Sequence, residues 1–322
     1  MTRATGVAHP NIALVKYWEK RDERLILPVA GSLSLTLDAY PTTTTVELDE
    51  TLDADTFTLN GAAGDETQTG RVTRFLDLVR ELAETDTRAH VSSSSDVPTG
   101  AGLASSAAGF AALAVSAAAA FGLDLDAPAL SRLARRGSGS ASRSIVSGYA
   151  VWHAGDDEAS FAEGVTGPDT RMVVVTVDRS TKAVSSREAM KRTALTSPYH
   201  DAWASSTAEI LEVALEACRD DDYTRLGRIT ELHALRMHAH IQSADPPIRY
   251  LRAASIAVFD DVERLRAEGI ECYATADAGP NVVVLTLPGD AAAVAERLAV
   301  HGTTTVVGPG PAASLVSAGA ER

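Results

Sequence analysis

The sequence predicts an α+β fold in two lobes, residues 1–180 and 181–322, with the division near Asp178 to Val184. Three observations carry that expectation. Short strand patterns alternate with helical ones through the first half, the second half is mainly helical before a closing strand-turn-strand-helix-strand run, and no repeat or long linker interrupts the 322 residues.

The elements follow in order. Residues 32–38 alternate with period two, residues 43–48 are a β-branched run, and residues 56–60 end in Asn60-Gly61, which together read as a meander. Residues 66–82 have helical spacing, with Phe75, Leu76, Leu78, Val79 and Leu82 as one stripe. A strand over 90–94 leads into a Pro/Gly loop over 98–102 that opens into an alanine-rich helix from about Ala104. Its apolar stretch, 107–123, is broken by Gly109, Ser116 and Gly122 and abuts Asp124, so it reads as a buried core helix rather than a membrane span. A short helix over 130–135 stops at Gly137, and the small-residue run 137–143 cannot be an ordinary helix core. Strands at 149–152 and 172–177 come next, the second a valine run suited to burial on both faces. Helices are expected over 201–217, 223–240 and 248–268, with Asp245-Pro246-Pro247 as a break. A strand at 272–275, a turn at Ala278-Gly279-Pro280, a strand at 282–287, a helix at 291–300 and a strand at 303–307 close the chain.

Composition narrows the function. The formal charge of −14 argues against binding to nucleic acid or an anionic membrane, since both need a positive surface, and an anionic substrate must find a local basic pocket. Only Lys16, Lys20, Lys182 and Lys191 are lysines among 29 basic residues, and two of them fall in Lys16-Tyr17-Trp18-Glu19-Lys20. An ammonium point charge, rather than a planar fork, is wanted there. Cys218 and Cys272, with no CxxC and no His/Cys cluster at zinc spacing, suggest a reducing compartment and no structural metal. Residues 1–7 lack an apolar signal region, so a cytoplasmic location is expected.

The chemistry concentrates first in Pro98-Thr99-Gly100-Ala101-Gly102-Leu103-Ala104-Ser105-Ser106-Ala107-Ala108. Glycines allow close backbone approach, and a helix starting there turns unsatisfied N–H groups toward an anion. Taken alone, such a run reads more readily as an N-cap after a tight turn. No Walker A lysine, GxGxxG, HExxH or GxSxG element occurs.

In these residues the chain resembles the phosphate-binding motif of the GHMP kinase superfamily. The resemblance narrows to the diphosphomevalonate decarboxylase family through five motifs in order: the stretch from His9-Pro10-Asn11 to Lys16-Tyr17-Trp18, then Lys20-Arg21-Asp22, residues 102–109, residues 137–144, and Asp277-Ala278-Gly279-Pro280-Asn281. The match covers about residues 5–310. It implies a GHMP kinase-like fold with a deep cleft between lobes. It also implies an ATP-dependent enzyme of the mevalonate pathway that phosphorylates the tertiary 3-hydroxyl of mevalonate 5-diphosphate and then releases phosphate and CO2 to give isopentenyl diphosphate. ATP and Mg2+ are the implied cofactors, a small molecule the implied partner, and a homodimer the expected assembly.

By the same resemblance Asp277 is the catalytic carboxylate that orients the poorly nucleophilic hydroxyl and takes its proton, although alone it would read as a turn residue. Lys16 lies beside it, with Ser106 and Arg143 completing the catalytic set. Tyr17, Lys20, Ser138, Gly139, Ser140 and Arg143 are expected to hold the substrate's diphosphate and carboxylate, together with Ser186 and Arg187. Ser94, Pro98, Gly100, Gly102, Leu103, Ala104, Ser105 and Ser106 are expected at the nucleotide, with Mg2+ bridging phosphates rather than caged by protein.

Departures from the family pattern bear on the substrate. Glu19 stands where the family usually has glycine, Val29-Ala30 follow Leu27-Pro28, and Ser95-Asp96-Val97 replaces an amide-rich approach to the phosphate loop. If Glu19 points inward it weakens a diphosphate site and favours a phosphomevalonate decarboxylase or a mevalonate 3-kinase. The adopted expectation is that it faces solvent, as most glutamates do, which keeps the 5-diphosphate as substrate. A catalytically silent homologue used for binding is a further alternative, set against the presence of Asp277, Lys16, Ser106 and Arg143. His233, His238 and His240 share a predicted helix without an acidic third ligand and read as solvated or core histidines.

Overall fold

The computed structural model describes residues 2–96, 105–180 and 182–316. The first half runs β1 (Arg3–Ala8), β2 (Asn11–Val15), β3 (Lys20–Asp22), β4 (Leu27–Pro28), β5 (Ser32–Thr36), β6 (Thr42–Asp49), β7 (Thr56–Leu59), β8 (Ala62–Ala63), α1 (Glu66–Ala83) and β9 (Arg88–Ser95). It continues through α2 (Ser105–Ala120), α3 (Ala127–Gly137), a 3-10 segment (Gly139–Ile145), β10 (Tyr149–Trp152), β11 (Ala162–Gly164) and β12 (Arg171–Thr176). The second half holds α4 (Ser186–Thr196), α5 (His200–Arg219), α6 (Tyr223–Gln242), α7 (Ala253–Ala267), β13 (Cys272–Thr275), β14 (Val282–Thr286), α8 (Ala291–Leu298), β15 (Thr303–Val307) and β16 (Ser314–Leu315).

Three sheets organise these elements: β16-β1-β6-β9-β7-β8, β11-β10-β5-β2 and β13-β14-β12-β15, with β3 and β4 as a separate ribbon. The first sheet packs on α1 and α2, around Val46, Val91, Phe75, Leu76 and the alanines of α2, with α3 packed against those helices. The reason α2 is built of alanine lies at Gly6 of β1, where a Cβ would stand 2.7 Å from the Ala112 carbonyl oxygen. Helix and strand backbones meet there, and larger side chains would hold them apart. Along β12 the valines alternate between two cores, Val174 facing the sheet of β2 and β5 while Val173 and Val175 face α7 and α8. Cys218 and Cys272 are buried free thiols.

Several expectations need correction. Strands β1 and β2 are absent from the sequence reading, because Thr5-Gly6-Val7 and the fully buried run 11–15 show no alternation of apolar and polar residues. Helix α4 is likewise absent from the sequence reading; it is started by Ser185, whose hydroxyl accepts the Glu188 N–H. Leu82 leaves its stripe and is exposed, the buried face of α1 being Val72, Phe75, Leu76 and Val79. Helix α7 starts only at Ala253, where the Ser255 hydroxyl accepts the Arg252 N–H, so residues 248–252 lie outside it. Strand β12 pairs with β14 and β15, so it belongs to the same sheet as strands of the second half. Its two faces are covered by separate cores, and its two edges are paired by strands later in the chain.

Candidate active site

The chain leaves β2 at Val15 and carries Lys16 into the interior, 1% exposed. Its ammonium donates to the Ala13 carbonyl and to Asp277 Oδ1, each at 2.7 Å. Asp277 arrives on the loop between β13 and β14, where the Gly279 N–H closes a tight turn on the Asp277 carbonyl at 2.7 Å. Burial pulls the Lys16 ammonium below the ordinary lysine value, and Asp277 opposes that fall. The Asp277 side chain keeps 25% of its surface exposed, toward a cavity of about 770 Å³.

The wall of that cavity has a definite sign. Among the described residues lining it, Lys16, Lys20, Arg71, Arg143, Lys182 and Arg187 are cationic and Asp277 is the carboxylate. A chain of charge −14 thus folds three of its four lysines around one concavity. Arg143 is buried in the 3-10 segment, its Nη1 donating to Ser32 Oγ at 2.6 Å and its Nε to Asn11 Oδ1 at 3.3 Å. Burial lowers its guanidinium to about 10 despite Asp277 nearby. Asn11 is fixed in turn by donating to Ser144 Oγ and the Ser140 carbonyl. Hydroxyls run from Ser106 to Ser138 (3.2 Å) and on to Ser140 (3.3 Å). Gly139 is required there, since a Cβ would lie 2.7 Å from Tyr17 Oη. Tyr17 Oη is buried against Gly139 without a hydrogen-bond partner among the described residues.

The cavity therefore gathers Lys16, Tyr17, Lys20, Ser105, Ser106, Ser138, Gly139, Ser140, Arg143, Ser186, Arg187 and Asp277. Pro98, Gly100, Gly102, Leu103 and Ala104 lie outside the described residues. Ser94 is corrected: it is exposed on the opposite face of β9, while Ser93 and Ser95 line the cavity, as the two-residue period of a strand requires. Glu19 is corrected too. It faces neither solvent nor the cavity but is fully buried, accepting from His240 Nε2 at 2.8 Å and from His200 Nδ1 at 2.6 Å.

Two family models match. Residues 8–162 fit the diphosphomevalonate decarboxylase-like N-terminal domain, and residues 172–307 fit the mevalonate 5-diphosphate decarboxylase C-terminal domain. The chain belongs to the diphosphomevalonate decarboxylase family. Human diphosphomevalonate decarboxylase is 36% identical over 89% of this chain and 77% of its own length. The mevalonate diphosphate decarboxylase of Enterococcus faecalis superposes with a TM-score of 0.92 at 43% identity, covering 98% of this chain and 99% of that one. That of Staphylococcus aureus gives 0.94 at 37%, covering 98% of each. A solved complex of MDDEF with MVAPP, AMPPCP and magnesium also gives 0.94, at 44% identity over 98% of this chain and 99% of that one.

Within this member of the family, three groups at the site escape sequence reasoning. Lys182 donates to the Ala278 carbonyl at 2.8 Å and to Ser186 Oγ at 3.0 Å, beside the turn that carries Asp277. The scarcity of lysine, which singles out Lys16 and Lys20, applies equally to Lys182 and would have found it. Arg71 lies over the Phe110 ring at 4.9 Å, placed by one face of α1. The third group is the histidines of α6, which are structural ties rather than idle core residues. His233 Nδ1 accepts the Lys16 N–H at 2.8 Å, and His238 Nε2 donates to the Ala276 carbonyl at 3.3 Å. Burial holds the first imidazole down to about 3 and the second to about 4, with Lys16 adding to both.

Proposed function

We infer that this chain is an ATP-dependent carboxy-lyase acting on mevalonate 5-diphosphate, with isopentenyl diphosphate as product, in isoprenoid biosynthesis. The observation that carries the reading is the cavity wall, six cations and one carboxylate among the described residues. Such a wall suits a substrate with a carboxylate at one end and a diphosphate at the other.

In this assignment Asp277 orients the 3-hydroxyl and takes its proton as the hydroxyl oxygen bonds to the γ-phosphorus and ADP leaves. Phosphate then departs from C3, the C–C bond to the carboxylate breaks, and its electron pair forms the double bond as CO2 is released. Lys16 holds Oδ1 of Asp277 at 2.7 Å and so fixes the direction of the base. Arg143, Tyr17, Lys20, Ser138, Gly139, Ser140, Ser186 and Arg187 are assigned to the substrate's anionic ends, with Lys182 at the rim joining them. Ser105 and Ser106 lie near the N-terminal end of α2, whose dipole favours the nucleotide phosphates. Hydroxyls of Ser93, Ser95 and Ser106 are hard oxygen donors that fit a magnesium ion bound mainly through phosphate. Magnesium, when bound, neutralises charge on the transferring phosphoryl group.

The buried placement of Glu19 removes that departure's objection to the 5-diphosphate, since the carboxylate is turned to His200 and His240 rather than to Lys20, whose ammonium pairs with Glu23 at 2.7 Å. A two-lobed division, a homodimer and a cytoplasmic location belong to the same proposal; among the described residues no helix is long and apolar enough to cross a membrane. Light scattering checks the dimer. The deciding experiment is product analysis with ATP and each of mevalonate, its 5-phosphate and its 5-diphosphate. Equal release of ADP and CO2 from the 5-diphosphate is expected. ADP without CO2 would make the enzyme a 3-kinase, and a preference of about tenfold in kcat/KM for the 5-phosphate would change the substrate.

A further inference from the structure

Glu19 combines two features that a chain ordinarily avoids. Its backbone lies in the left-handed region, at φ 75, where residues with a Cβ seldom sit, and its carboxylate is fully buried. Both carboxylate oxygens are nevertheless occupied, Oε1 by His240 Nε2 and Oε2 by His200 Nδ1. His240 is 2% exposed and oriented through its other nitrogen, which pairs with Ser197 Oγ at 2.8 Å. Ser197 Oγ meets Ser243 Oγ at 2.6 Å, so the ring is held from both sides.

The same short segment is tied at two further points. Trp203 of α5 donates its indole N–H to the Trp18 carbonyl at 3.2 Å, and His233 of α6 accepts the Lys16 N–H. The Trp203 ring is stacked between His233 (centroids 4.8 Å apart, planes at 26°) and His240 (5.6 Å, 14°). Residues 16, 18 and 19 are therefore registered on one aromatic stack, while Lys16, Tyr17 and Lys20 of the same segment line the cavity. Of the three ties only the one at Glu19 is made by a charged side chain, and only that one requires the left-handed backbone.

We propose that Glu19, clamped by His200 and His240, is a positioning residue for substrate capture: it fixes the Lys16–Lys20 segment so that Tyr17 and Lys20 stand ready for the substrate's anionic end, without touching the substrate itself. The inference rests on the assignment of Tyr17 and Lys20 to the substrate made above. A group that acts by placement raises the substrate KM when lost and leaves the chemical step and the nucleotide site alone.

The test compares Glu19→Gly, which relieves the left-handed backbone and removes the clamp, with Glu19→Gln, which keeps the shape and part of the hydrogen bonding. Glu19→Gly is expected to raise the KM for mevalonate 5-diphosphate about tenfold, with kcat and the KM for ATP within about twofold and secondary structure retained. Glu19→Gln should raise it less. His240→Asn should do little further harm in the Glu19→Gly background, because the shared contact is already gone. An unchanged substrate KM in folded Glu19→Gly, or a parallel loss in kcat and in both KM values, overturns the proposal. If Glu19→Gly does not fold, the substrate KM of Glu19→Gln decides; failure of both to fold makes Glu19 a stability residue and also overturns the proposal. Lys20→Ala separates the two levels. If it leaves the substrate KM unchanged, the site assignment fails, whereas if it raises KM while the Glu19 variants do not, only the clamp fails.

Discussion

Helix α2 is buried on nearly every side and helix α6 along one face, and they bury opposite kinds of residue. Helix α2 turns alanine to nearly every side and brings its backbone against β1. Helix α6 places His233, His238 and His240 inside, each bonded to a loop or segment that borders the cavity. One helix serves by what it lacks, allowing close approach, and the other by side-chain atoms that reach out to hold Lys16, Ala276 and Glu19. Damage where α2 meets β1 should therefore appear as lost stability, and damage to the Glu19 contact that α6 holds as lost function.

The largest expected effect is at Asp277, beside the carbonyl that His238 grips. Asp277→Asn should lower kcat by about 10² to 10⁴ with the melting temperature and nucleotide binding retained, and near-normal turnover would remove it from the role of base. Arg143→Ala comes next. Losing a charge-assisted contact of about 1.5 to 3 kcal/mol should raise the substrate KM roughly ten- to a hundredfold. Ser106→Ala, at the start of α2, should instead lower kcat, so equal changes in both parameters for the two variants would show one of them to be misplaced.

The histidines sharpen the contrast through pH. Because His233 and His238 have folded values of about 3 and about 4 against an ordinary 6.5, the unfolded chain binds more protons between those limits. Stability should be fully present above pH 6.5 and fall as the pH drops toward 4. His233→Gln should flatten that slope in melting curves recorded from pH 7 to 4, and an unchanged slope would show that another group drives it. The smallest effect is expected at the α2 contact: Gly6→Ala forces a Cβ against the Ala112 carbonyl and should cost about 1 to 3 kcal/mol in stability while KM stays constant.

The same contrast explains what is legible in the sequence. Helix α2 is readable because its alanine run is a local pattern, as are the valines of β12 and the break in helical character at Gly137. The motif residues come together at one cavity because short motifs carry their geometry with them. What sequence reasoning misses depends on distant partners. Glu19 meets His200 and His240 across 181 and 221 residues, and no local rule distinguishes that fate from exposure to solvent. Strand β1 stays hidden because Gly6, a poor strand former, is needed for packing against α2. Ser94 cannot be told from its neighbours because the face of β9 depends on register, and one residue reverses it.

Cys218 and Cys272 carry a practical consequence. Burial pushes both thiols up to about 12, which leaves a thiolate fraction on the order of 10⁻⁵ near neutral pH. The folded chain should be almost inert to maleimides and iodoacetamides. A single cysteine introduced at Leu195, 74% exposed on α4, would then be the one position that accepts a fluorophore. Helix α4 begins with Ser186 and Arg187 at the cavity, so the emission of such a label tests whether substrate binding shifts this helix.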